Sequence, residues 1–199
     1  NQAQGDPSRV HPAAQALIRE IYLDHLAVVF NGDGYSRAWQ DEAARRGLPN
    51  FRTAPEAIPN IQAPATVDIF ERMRVLSGRE LNSRTSIFFE QYCQTILLEA
   101  RLAVRMTRTI IFPAAMRYQG ELAATCQNLQ AIGRDFETRT LDRVTDRLRE
   151  LLLAVEKLED LLKMEKKSDE KNEAEFCCRE VLPAMRAVRA HADELEGLV

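Results

Sequence analysis

The sequence predicts an all-α fold: a helical bundle built on one long, proline-kinked central helix, with a C-terminal antiparallel helical hairpin. Three observations predict it. Across 77–133, apolar residues recur at alternating spacings of three and four, and Pro113 is the one proline in that span. Further on, Leu141, Val144, Leu148, Leu151, Val155, Leu158 and Leu162 keep a 3-4-3-4 rhythm without a slip. After the charged run 165–173, which contains Ser168 and Asn172, Phe176, Val181, Met185, Val188, Ala192 and Leu195 resume a helical pattern. A short polar connection between two such arms favours antiparallel neighbours, here 138–163 against 174–195, with Pro183 expected to bend the second arm.

The central helix opens with a capping box, Ser77-Gly78-Arg79-Glu80, in which hydroxyl and carboxylate satisfy each other's backbone N–H groups. Phe89, Tyr92, Ile96, Ala103, Met106 and Ile110 then share one helical face, and Ile87, Phe88, Leu98 and Leu102 form an adjoining one. A helix apolar over so wide an arc is expected to be covered on two sides. Gly133 suits the position just past its end. Unbroken, it would span on the order of 80 Å. Pro113 should kink it, at a cost of roughly 3 kcal/mol if nothing relieves the lost donor and the ring clash. Glu99 falls in the row of Tyr92, Ile96, Ala103 and Met106. It is a boundary carboxylate with its tip in water, a buried contact paired with Arg101, Arg105 or another element that would fix the docking of 31–76, or, third in order, a catalytic carboxylate.

Upstream, Pro12 suits a first helical turn, and Leu17, Ile18, Ile21, Tyr22, His25, Val28 and Val29 follow at helical spacings. Asn31-Gly32-Asp33-Gly34 should stop this helix, with His25 packing inward. Ser36 can cap a short helix through Arg46, closed by Gly47, with Trp39 and Ala43 one turn apart on its inner side. Pro49 and Asn50 break the chain, and Thr53-Ala54-Pro55-Glu56 reads as a second capping box. Pro59 and Pro64 keep the next stretch irregular before a short helix carrying Val67, Phe70 and Met73. The expected organisation is one domain in three parts: 1–76 as an N-terminal helix and turn-rich wrap, 77–133 as the central helix, and 138–197 as the hairpin.

The 199 residues are 45% hydrophobic, enough for a core, and carry a formal charge of −3. Arginines are interleaved with acids, so no basic stripe forms and no nucleic-acid partner is expected. No run of eighteen apolar residues and no secretory leader occur, so neither a membrane span nor export is expected. Cys93, Cys126, Cys177 and Cys178 sit in helical patterns, form no CxxC, and read as small apolar residues of a reducing cytoplasm. The polar opening 1–9 and the absence of an initial Met suggest a segment of a larger protein. The chain contains no GxxxxGK[ST] or GxGxxG phosphate loop, no HExxH and no Glu-x-x-His pair. His11, His25 and His191 show no ligand spacing, and Ser36, Ser77 and Ser83 have no recognisable His base. Residue chemistry alone therefore assigns no catalytic, cofactor-binding or metal residue.

Phe30-Asn31-Gly32-Asp33-Gly34-Tyr35-Ser36 stands before Trp39, Glu42-Ala43, Arg46-Gly47-Leu48-Pro49-Asn50 and Thr53-Ala54-Pro55-Glu56-Ala57. Beyond these come Val75-Leu76-Ser77, Glu80-Leu81, Ser83-Arg84, Glu90-Gln91-Tyr92-Cys93, Ile96, Glu99-Ala100 and Pro113-Ala114-Ala115. In this order they resemble the C-terminal region of type III glutamine synthetases, closely over 10–118 and more loosely in the hairpin.

The resemblance implies a parent enzyme of nitrogen metabolism that ligates ammonia to glutamate through a γ-glutamyl phosphate. It uses ATP, with Mg2+ or Mn2+ clamping the phosphates. In that family the catalytic groups lie on a β-rich portion upstream, so none carries over to a position here, and this segment alone should be inactive. The implied partners are the rest of the glutamine synthetase chain and, through a large ring assembly, further copies of it. The structural and docking candidates are Asn31, Gly32, Asp33, Gly34, Tyr35, Trp39, Arg84, Glu90 and Glu99. Two roles compete: an accessory domain supporting the catalytic fold or its assembly, or a free-standing helical interaction module that pairs through its hairpin.

Overall fold

The computed structural model describes residues 10–164 and 169–198; the expectations for 1–9 and for the tip of the hairpin loop at 165–168 lie outside them. No strand occurs among the described residues. The chain divides into two compact units, with the boundary between Arg52 and Thr53.

In the first unit, α1 (Val10–Asp24) carries Pro12 in its first turn and is followed by a 3-10 turn, Leu26–Val28. The helix ends at Asp24, short of the Asn31 break that periodicity indicates. The cause is non-local. The Arg46 guanidinium Nη1 donates to the carbonyls of Val29 at 2.6 Å, Ala27 at 3.1 Å and Leu26 at 3.4 Å, acceptors that an ongoing helix would direct along its own axis. The face expected to pack is open: α1 buries no residue, Ile18 is 66% exposed, and His25 is exposed rather than packed inward. α2 (Arg37–Arg45) is capped by Ser36, whose hydroxyl accepts from the Trp39 N–H, and buries Ala43. Gly47 (φ +73°) ends it, with the Leu48 N–H returning to the Ala43 carbonyl.

The second unit begins with α3 (Ala54–Ala57), a 3-10 segment (Ile58–Gln62) and α4 (Pro64–Arg72). The Thr53 side chain makes no cap hydrogen bond, contrary to the expected capping box. The Thr53 carbonyl instead receives the Glu56 and Ala57 N–H groups, and Pro55, which has no N–H to satisfy, sits at the start of the helix. α4 ends with Arg74 in the left-handed region (φ +55°) and the Val75 N–H returning to the Phe70 carbonyl, an ending usually built on glycine. Met73, one of the three apolar residues that marked this helix, is 68% exposed at that turn.

The central helix runs unbroken as α5 (Gly78–Met106), a π segment (Thr107–Ile111) and α6 (Phe112–Ala131). The Ser77–Glu80 capping box is formed in full. Gly78 lets α4 approach its start closely. A Cβ there would lie 3.2 Å from Glu71 Oε1 and 3.3 Å from Val67 Cγ1, and that same Glu71 oxygen accepts the Gly78 N–H at 2.8 Å. The carboxylate of α4 thus neutralises the positive end of α5. Gly133 (φ +68°) closes the far end as expected.

The periodic face departs from expectation at two places. Leu81, Thr85, Phe89, Cys93, Ile96 and Ala100 are buried and Ala103 is partly buried, but the next core positions are Thr107 and Ile111, not Met106 and Ile110, which are 43% and 59% exposed. The departure begins upstream, at Cys93 and Ala100 in place of Tyr92 and Glu99, and Thr107 follows Ala100 by seven residues, two ordinary helical turns. The π turn serves the proline. With the ladder widened just before Pro113, the helix accommodates that residue without breaking. The same device recurs where the π segment Cys177–Val181 precedes Pro183. The second departure is the adjoining face. Ile87, Phe88, Leu98 and Leu102 are 41–66% exposed, so the helix is covered on one side by this unit rather than on two. Periodicity registers that a side avoids water, and does not say which piece of polypeptide covers it.

α7 (Arg139–Lys163) buries Val144, Leu148, Leu151, Val155 and Leu158, the anticipated seam. It packs against α9 (Leu182–Glu196), which follows α8 (Glu170–Phe176) and the second π segment and buries Ala184, Val188 and Leu195. The hairpin is antiparallel, since Arg147 meets Glu194 while Glu150, later in α7, meets the earlier His191. It is docked on the central helix, with α7 against α5 and α6 and α8 against α5. One continuous core joins Ile58, Phe89, Ile96 and Ala100 to the hairpin seam.

Candidate functional site

The docking candidates of the first unit fold into one turn. Asp33 organises it: its Oδ1 accepts the Tyr35 N–H at 2.9 Å, and its carbonyl accepts both the Ser36 N–H and the Ser36 hydroxyl. This asparagine-glycine-rich turn holds Asn31, Gly32, Asp33 and Gly34 at the surface and leaves Tyr35 97% exposed. Trp39 is half-buried and engaged within its own unit. Its ring lies 4.7 Å from that of Phe30, and the Arg46 guanidinium stands 5.6 Å from its centroid. Glu42 holds Arg46 in turn, Nε to Oε1 at 2.6 Å, and hydrogen bonds from Arg46 and Arg45 keep the Glu42 carboxyl below its ordinary range. Sequence reasoning took Arg46 only as the end of a helix. Its role as a clamp on three carbonyls 17 to 20 residues away carries no local signal.

On α5, Arg84, Glu90 and Glu99 are all exposed, so the Glu99 carboxylate meets water. Glu90 accepts from the Gln94 amide at 2.9 Å. The candidates are distributed along a turn in one unit and a helix in the other.

Two clusters did not arise from the sequence. Cys93 and Cys177 are buried side by side, thiol to thiol, and burial pushes the Cys177 pKa up, so Cys177 is not poised as a nucleophile. Burial also raises the pKa of the adjoining Tyr92 phenol, with further upward pushes from a hydrogen bond to Cys178 and from the neighbouring thiols. All four cysteines are free, as expected of small core-filling residues. A cavity of about 460 Å³ lies beside these thiols, with Leu97, Phe176, Glu90 and Arg101 among its walls.

The second cluster, between α7 and α9, gathers Glu150, His191 and Glu194, with ligand atoms within 4.8 Å of one another. Their chemistry does not suit the divalent ions that assist phosphoryl chemistry. Arg147 already bridges both carboxylates, at 3.0 Å from Glu194 Oε2 and in contact with Glu150, so a second cation would meet its charge. Mg2+ in particular asks for an all-oxygen octahedron. The His191 Nδ1 is buried without a hydrogen-bond partner, 3.6 Å from Glu150 Oε2. Arg147, Glu150 and Glu194 act here as an electrostatic lock on the hairpin. Among the described residues, no helix is long and apolar enough to cross a membrane.

Residues 13–130 match the family model described as the glutamine synthetase C-terminal domain. The chain is 33% identical over 196 residues to a type-3 glutamine synthetase of Dictyostelium discoideum, covering 94% of this chain and 27% of that protein. It is 30% identical over 188 residues to a glutamine synthetase of Butyrivibrio fibrisolvens, covering 92% and 27% respectively. To a glutamine synthetase of Bacteroides fragilis (strain YCH46) it is 26% identical over 189 residues, covering 90% and 26%. The chain thus spans about a quarter of the length of the curated relatives it matches.

Proposed function

Since this chain belongs to the glutamine synthetase C-terminal domain family, we propose that it is the accessory helical domain of a glutamine synthetase, supporting the catalytic fold or its assembly. The observation that carries the proposal is the coverage: nearly the whole chain aligns with about a quarter of proteins named for the complete enzyme. In this reading the parent ligates ammonia to glutamate at the expense of ATP in the cytoplasm, as a homo-oligomer. ATP and Mg2+ or Mn2+ are then held by the portion of the polypeptide outside this chain. The residues described here contribute packing surface and no reacting group.

The competing role, a free-standing module pairing through its hairpin, fits the packing less well. Val144, Leu151, Val155 and Leu158 are fully buried within their own unit, so the seam has no face left for a partner. The test compares two purified proteins, the 199-residue chain and the longer polypeptide its gene encodes. Glutamine formation dependent on ATP is expected from the longer polypeptide alone. Turnover by the 199-residue chain itself, or a gene that encodes nothing beyond it, overturns the proposal.

A further inference from the structure

The face of α5 turned away from the core carries five large, exposed apolar side chains, with the exposed Arg84, Gln91, Thr95 and Arg105 set among them. Ile87, Phe88, Leu98, Leu102 and Met106 are 47%, 41%, 66%, 52% and 43% exposed. At 100° per residue, positions 87, 98 and 102 fall within about 60° of arc, with 88 and 106 at its edge and the buried row centred more than 120° away. The stripe extends about 30 Å along the helix. At its N-terminal end it opens into a groove of about 490 Å³, whose walls include Leu76, Ile87 and Phe88, with Glu80 and Arg84 as its charged margin. Large apolar side chains interspersed with polar ones and arginines, with a hollow at one end, have the mixed composition of a non-obligate interface.

We propose that this stripe is the surface through which the domain docks on the remainder of its own glutamine synthetase polypeptide. The inference rests on the accessory-domain reading above and names its contact face. Two observations select this occupant. The relatives carry about three-quarters of their length outside the region matched by this chain, so a large covalently attached body is at hand. The size of the stripe points the same way. It offers on the order of 500 Å² of apolar surface, the scale of a functional patch on a monomer. A free second copy would need about 800 Å² per partner for a stable complex. A covalently tethered body needs less, because the tether supplies an effective concentration of about a millimolar.

The test places a single cysteine on the stripe, Leu98→Cys, and a second at Leu153→Cys on α7, which is 59% exposed and lies off it. Maleimide labelling of each is followed by peptide mass in the 199-residue chain and in the full polypeptide. Leu98→Cys should label at least about tenfold more slowly in the full polypeptide than in the shorter chain, while Leu153→Cys labels alike in both. Equal labelling of Leu98→Cys in a full polypeptide that makes glutamine overturns the docking face and leaves the accessory reading standing. Protection of Leu98→Cys already in the shorter chain, with sedimentation as a dimer, or loss of the protection when the full polypeptide is dissociated to folded monomers, overturns it in favour of a second copy. Protection in a full polypeptide that makes no glutamine supports the face and removes the enzymatic reading.

Discussion

Arg108 and Glu159 join the central helix to the hairpin through two parallel hydrogen bonds, Nε to Oε1 at 3.0 Å and Nη2 to Oε2 at 2.8 Å. Arg108 stands in the π segment and Glu159 near the end of α7. Gln119 of α6 donates to the Thr145 hydroxyl at 2.6 Å further along, so the two contacts fix α7 antiparallel to the central helix.

The pair is partly open to solvent, at 39% and 28% side-chain exposure, so its coupling should be modest. A double-mutant cycle with Arg108→Ala and Glu159→Gln is expected to return about 0.5–1 kcal/mol. The pH dependence follows from the shifts. Hydrogen bonding to Arg108 holds the Glu159 carboxyl below its usual 4.5, and burial opposes this more weakly. A depressed folded-state pKa stabilises the fold above the unfolded value and loses that contribution as pH falls through the folded one. Arg108 is shifted upward by the hydrogen bond to Glu159 and keeps its proton through neutral and acidic pH, so it adds no slope there. The melting-temperature gap between wild type and Glu159→Gln should be widest near neutrality, narrow as the pH falls below the usual 4.5, and close once the folded carboxyl is protonated. A gap unchanged at acid pH would remove the carboxylate from the account.

Pro113 and the π segment before it should behave as one unit. Deleting exposed Ile110 returns that segment to α-helical spacing, which brings the Pro113 ring against the preceding turn. The deletion is expected to cost roughly 3 kcal/mol in urea unfolding, and distinctly less in a Pro113→Ala background. Equal costs in both backgrounds would show that the π turn answers to core packing rather than to the proline.

The hairpin seam should be far less tolerant than the outer side of α7. Leu151 is fully buried, and Leu151→Ala should destabilise by about 3 kcal/mol; Leu151→Asp should prevent docking of the hairpin. Leu153→Ala, two residues on and 59% exposed, should change stability by less than about 0.5 kcal/mol. Comparable losses from both alanine variants, read by thermal melts, would mean that Leu153 is also covered in solution.

Much of this architecture was written locally. The capping box at Ser77 and Glu80, the left-handed ends at Gly47 and Gly133, and the Leu151 seam all follow from hydrogen bonds or contacts between residues a turn or two apart. The ordered motifs from Phe30 to Ala115 likewise carried the family. Three features needed the folded chain. Arg46 reaches across 17 to 20 residues to take the carbonyls that end the first helix early. The core row runs through Cys93, Ala100, Thr107 and Ile111 rather than through Tyr92, Glu99, Met106 and Ile110, because the hairpin covers that side of the helix. The sides of α5 that water reaches depend on which other elements arrive there. Helix formation and capping are decided by neighbours in sequence, so the amino-acid order determined them. Burial and register are decided by neighbours in space, and only the tertiary structure brings those together.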